Sequence, residues 1–340
     1  MLPLGLTVAY LALAAPLMQV QALVVSNSTD LWSDDPANKR AFTPWPDLPY
    51  HVPVGSQYGI LEIFRYDPTF YSEQVTRNVV NFMDLIIARL GAANGWPYVK
   101  KRISAQLPTQ AGSRPVSFDI YNNNVSPNLP DDYLATLLDT IKEQNAAHRL
   151  RDLDAYVEHY APYSEGQVTQ AEGPPLVDPS VTKSSPIFLT AEDLIQQSIF
   201  LEVEQVHPDT FPEAYMQQYI NFLNSTLTQL KTLPPQVPFI GRTGQDIPDP
   251  DGYRVIYDLR RIQTEPQASQ FSYSLAVSVT AAFLSFAQNF PLPSLSFMSF
   301  RVVQIVNVKS AVSIGLGTFD RVGPPASGGQ NGSPPAVDTA

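Results

Sequence analysis

Between residues 58 and 66 apolar and polar side chains alternate with the period of a half-buried strand, and Asp67-Pro68 breaks the run. Beyond the break Val75, Val79, Phe82, Met83, Ile86 and Leu90 recur at helical spacing, with Gly91 as the stop. Strand character returns at 98–105 and 114–121. A second helix is predicted over 131–148 behind Asn128-Leu129-Pro130, and 153–160 reads as a closing strand. The same succession starts again at residue 198. It gives a strand to 206, then a helix to 231 opened by the capping-box pattern Thr210-Phe211-Pro212-Glu213, strands at 237–242 and 253–260, a helix over 267–289 and a strand at 297–308.

The repetition reaches the letters. Laid over each other without a gap, residues 58–90 and 198–230 share Leu61/Leu201, Glu62/Glu202, Pro68/Pro208, Glu73/Glu213, Asn81/Asn221, Phe82/Phe222 and Leu90/Leu230. Chance at average residue usage gives roughly two such matches. Ile63/Val203, Val80/Ile220 and Met83/Leu223 keep apolar character where identity fails, so the buried face is repeated too.

Strand, helix, strand, strand, helix, strand is the split order of ferredoxin-like domains, in which the first and third strands lie together mid-sheet and both helices cover one face. The expected architecture is therefore α+β, a tandem duplication of a ferredoxin-like two-layer domain. Its expected parts are an N-terminal extension over 23–57, a first repeat over 58–160, a linker over 161–197 rich in Pro, Gly, Ser and Thr, and a second repeat over 198–320. The Gly-, Pro- and Ser-rich stretch 321–340 lacks the apolar bulk to offset ordering entropy and is expected to be a disordered tail.

Residues 1–22 carry no charged side chain and end Val20-Gln21-Ala22, a pattern expected of a cleaved secretory signal peptide. Sequons at Asn27, Asn124, Asn224 and Asn331 are then candidate glycosylation sites, and Lys39-Arg40 a candidate processing site. With no cysteine, thiol catalysis and thiolate-bound metals are excluded. A net charge of -11 argues against nucleic acid and against an anionic membrane surface. Neither a metal nor a cofactor is expected. His207 has only carboxylates nearby, no serine sits in a nucleophile elbow for His159, and Gly315-Leu316-Gly317 is no nucleotide loop.

One constellation bears on chemistry. With Leu61 and Ile63 turned toward the helices, Glu62, Phe64 and Tyr66 fall on the uncovered sheet face. In a ferredoxin-like order they meet Asp119 and Tyr121, with Tyr156 beside them. The second repeat offers Glu202 and Glu204 against Asp258 and Arg260. Paired carboxylates at about 5 to 10 Å suit glycoside hydrolysis, whereas carboxylates on an uncovered face are ordinarily just solvated. The expected function is thus a secreted glycoprotein with a non-catalytic binding or interaction role toward a small molecule, glycan or protein. Phe64, Tyr66, Tyr121, Tyr156, Glu204 and Arg260 are the candidate contacts. The second reading is an acid-active hydrolase of glycoside type using Glu62 with Asp119, or Glu202 with Asp258.

Overall fold

The computed structural model describes residues 42–55, 59–92, 102–107, 115–122, 131–159, 166–172, 187–210, 213–245, 251–262, 271–289, 296–307 and 310–323. The architecture is α+β. Described strands run β1 (Tyr50–Val54), β2 (Gly59–Phe70), β3 (Arg102–Leu107), β4 (Val116–Asn122), β5 (Arg151–His159) and β6 (Gly166–Glu172). They continue as β7 (Ile187–Leu189), β8 (Ile199–Thr210), β9 (Arg242–Gln245), β10 (Arg254–Arg261), β11 (Ser296–Asn307) and β12 (Ser310–Val322). The helices are α1 (Glu73–Leu90), α2 (Asp131–His148), the single turn α3 (Glu192–Ile195), α4 (Met216–Lys231) and α5 (Tyr273–Asn289).

All twelve described strands join one sheet, in the order β1-β2-β5-β6-β4-β3-β7-β8-β11-β12-β10-β9. The last six strands of this order repeat the first six: β7 stands to β8 as β1 stands to β2, and both pairs are antiparallel. The two units meet where β3 runs parallel to β7.

This order corrects the ferredoxin-like expectation. The first and third strands of the expected motif, β2 and β4, do not pair; β5 and β6 lie between them. The cause is β6, which lies within the stretch that reads as a linker. It pairs with β5 and with β4 and so takes the mid-sheet place that β2 would have held. β12 does the same in the second unit. Its glycines hide its strand character in the sequence, yet they have a packing reason. A Cβ on Gly317 would lie 2.0 Å from Phe300 Cζ, and one on Gly315 2.6 Å from the Phe271 ring.

Helix boundaries follow local chemistry. Ser72 caps α1 by accepting from the Val75 amide at 3.2 Å, and Gly91 follows its last residue. The helix expected behind the Thr210/Glu213 pattern starts later: Thr210 ends β8, a 3-10 turn covers Glu213–Tyr215, and α4 begins after Tyr215 without a side-chain cap.

Register decides which face each helix covers, because side chains opposite one another in a ladder share a face. Ala105, Phe188 and Glu202 form one row, and Ser104, Ile187 and Val203 the next. The first row belongs to the face packed by α1 and α2, whose core includes Leu61, Ile63, Phe82, Phe118 and Leu138. The second belongs to the face packed by α4 and α5, whose core includes Leu201, Val203, Tyr257, Phe283 and Phe300. The two helix pairs therefore cover opposite faces of one continuous sheet. The first core also runs past the junction to take in Phe200, Val303, Ile305 and Ala311, so α1 lies partly over the second unit's back.

Candidate functional site

The acidic side chains picked out by alternation are not brought together. With two strands intervening at about 4.8 Å per step, Glu62 and Asp119 are roughly 15 Å apart, beyond the separations that glycoside hydrolysis uses. Glu202 and Asp258 are likewise separated by β11 and β12. Each of the four instead has a local partner. The Glu62 carboxylate lies 3.3 Å from His51 Nε2, its cross-strand neighbour in β1. Asp119 is buried and accepts from the Ser104 hydroxyl; Ser117 and Gln106 are buried beside it on the same face. The Gln106 side-chain amide has no hydrogen-bond partner among the described residues. Asp258 pairs with Arg260 at 2.5 Å.

Glu202 is the exception in kind. Its side chain is 0% exposed, and Arg89 Nε, on a side chain 6% exposed, lies 2.5 Å from its carboxylate. Arg89 lies in the last turn of α1 and Glu202 sits in β8, so a fully desolvated ion pair ties the first unit to the back of the second. Sequence reasoning misses Arg89, which reads as a basic residue in a last helical turn. The available signal is its repeat-equivalent, Gln229, a position where charge is not kept.

The uncovered face of the first unit holds a different arrangement. Phe64 and Tyr156 stack with centroids 4.4 Å apart, and Tyr156 remains 48% exposed. His51–Glu62 lies on one side of this pair, and Arg65–Asp154 at 2.8 Å on the other. Tyr66 is not part of it. A bulge between Ile63 and Arg65 shifts the register, so Tyr66 stands opposite Leu153 and turns to the helix-covered side. There it donates to the Pro46 carbonyl at 2.7 Å and packs against Trp45. Tyr121 and Glu204 hold register positions in β4 and β8, but their side chains lie outside the described residues, as do those of His159 and His207.

At the end of β2 a second irregularity, between Tyr66 and Phe70, opens a cleft of about 260 Å³ lined by Asp67, Thr69, Phe70, Tyr71 and Asp152. The Thr69 amide donates to Asp67 at 2.7 Å, and Tyr71 donates its hydroxyl to Asp152. The Thr69 backbone N–H, and then its hydroxyl, hold the Asp67 carboxyl below the usual carboxylate range. Arg151 stacks on Tyr66 and Phe70 at 4.3 and 4.2 Å, and one of its terminal nitrogens reaches the Pro68 carbonyl at 3.1 Å. The Asp67-Pro68 break does not stop the strand; β2 continues past it to Phe70.

Of the sequons, Asn224 is exposed on α4, and Asn27, Asn124 and Asn331 lie outside the described residues, together with 1–22, Lys39-Arg40 and 324–340. No described helix is long and apolar enough to cross a membrane. Among the described residues no group of three or more His, Cys, Asp or Glu is placed to hold a metal ion.

No protein-family profile matches this chain, and no curated protein does. Among solved structures, the tandem DUF26 ectodomain of the Arabidopsis thaliana cysteine-rich receptor-like protein PDLP5 aligns at 9% identity, covering 76% of this chain and 96% of that one with a TM-score of 0.21. The corresponding ectodomain of PDLP8 aligns at 10% identity, covering 76% and 97% with a TM-score of 0.22. Likeness at such TM-scores assigns neither a family nor a function.

Proposed function

We propose that this chain is a secreted glycoprotein with a non-catalytic binding role, and that its contact surface is the uncovered face of the first unit around Phe64 and Tyr156. The observation that carries this reading is the stacked, half-exposed aromatic pair set between the His51–Glu62 contact and the Arg65–Asp154 ion pair. A flat apolar surface with a polar rim suits a ligand that is itself amphipathic, such as a glycan or a polar protein surface. The hydrolase reading has less support. It needs two carboxylates near one bond, and the register separates Glu62 from Asp119 while Arg89 neutralises Glu202 in the interior. Exposure of Asn224 on α4 fits a glycan there, and the leader-like residues 1–22 fit the secretory route.

Two measurements check the proposal on protein recovered from a eukaryotic secretory host. Glycan-array binding is expected to fall about tenfold, near 1.4 kcal/mol, in Tyr156→Ala and in Phe64→Ala. Binding indifferent to both, or polysaccharide turnover abolished by Glu62→Gln, overturns it. Intact mass is expected to drop by one N-glycan in Asn224→Gln; an unchanged mass removes that site.

A further inference from the structure

The cleft at the end of β2 and the aromatic pair lie along one line. Asp152, Asp154 and Tyr156 alternate on the same face of β5, so the cleft carboxylate and the exposed ring are about 13 Å apart along the strand. The salt-bridged Arg65 and Asp154 lie between them. A ligand touching both ends is longer than a single small ring.

Charge decides what fits the cleft. A cation would find two carboxylates, but the Phe70 ring that forms the wall already carries Arg151 at 4.2 Å and Arg149 at 5.8 Å. An anion would meet those carboxylates directly. A neutral ligand rich in hydroxyls avoids both costs. Its O–H groups donate to carboxylate oxygens, the Thr69 hydroxyl, which donates to Asp67, is within the lining to accept, and a carbon-bearing ring face lies on the part of Phe70 that Arg151 leaves open, the side chain being 43% exposed. A volume of about 260 Å³, at the lower edge of ordinary ligand pockets, holds one such ring and not several.

We propose that this cleft seats one ring of a neutral oligosaccharide, whose continuation runs along β5 to the Phe64–Tyr156 pair. This deepens the binding role proposed above and rests on it for the far end of the ligand, while the cleft stands or falls by itself.

The test is ligand-observed saturation-transfer NMR on the full chain. The probes are a panel of neutral monosaccharides at about 10 mM, where a binding free energy of a few kcal/mol registers, with methylammonium chloride and calcium chloride as cationic probes. At least one monosaccharide is expected to show transfer, weakened severalfold in Asp67→Asn and in Phe70→Ala; both positions are exposed, so both variants should fold. Ile240→Ala, on the far unit and 84% exposed, should leave it unchanged. The matching oligosaccharide should bind more tightly than the monosaccharide and lose that advantage in Tyr156→Ala. Absence of transfer from every sugar, displacement of a sugar by either cation, or indifference to both cleft variants overturns the cleft. Monosaccharide binding at the cleft with no gain from a longer chain leaves the cleft standing and overturns the aromatic surface.

Discussion

Glu62 and Glu202 hold the same place in the two units, each on the first long strand and each turned away from its own unit's helices, yet their surroundings are opposite. Glu62 faces His51 across the ladder and is partly wet; Glu202 faces Phe188, and Arg89 closes over it. The difference follows from head-to-tail stacking. α1 lies on its own sheet and also over the back of the second unit, and ten of its residues are buried. α4, its equivalent, covers one surface only and buries six. A heterologous contact of this sort repeats without limit unless something ends it. Here the helix position that supplies Arg89 is Gln229 in the second unit, and the first unit's free face presents Arg65, Asp154, Glu62 and His51 to water. The chain stacks two such units, and the part of the first unit's face around Tyr156 stays exposed.

The comparison is broken most forcefully at the buried pair. Glu202→Gln removes the carboxylate that faces the desolvated Arg89 guanidinium and is expected to cost about 3–5 kcal/mol in urea unfolding. The sequence-equivalent Glu62→Gln removes only a partly exposed contact to His51 and is expected to cost under about 1 kcal/mol, shrinking further as salt is raised. Equal losses at the two positions would mean that the units are equivalent after all.

Much of the molecule is legible in its residues, and the failures have physical causes. α2 spans the residues that periodicity and Pro130 put it on, and α1 ends at the expected Gly91, because their apolar stripes are long; the Ser72 cap that opens α1 is seen only in the structure. The repeat of Leu61-Glu62 in Leu201-Glu202 points to two like units, and alternation puts Glu62 and Glu202 on the side away from their own helices. Pairing order is not legible. β6, in a stretch whose composition resembles a linker, and β12, with glycines that admit the Phe300 and Phe271 rings, look like loop and weak motif in one dimension. Once they insert, Asp119 and Asp258 are carried away from the strands they were expected to face. A bulge at Phe64 is equally invisible, and it moves Tyr66 to the other side of the sheet. Arg89 cannot be assigned from its own helix, since its partner lies 113 positions onward in the other unit.

The central claim, that α1 of the first unit closes over Glu202 on the back of the second, is tested most directly by a double-mutant cycle on Arg89→Met and Glu202→Leu. Each single change should destabilise strongly, and the pair together should recover most of the loss, giving a coupling of about 2 kcal/mol or more. Additive losses, with coupling below about 0.5 kcal/mol, would contradict the contact and with it the stacked arrangement of the two units.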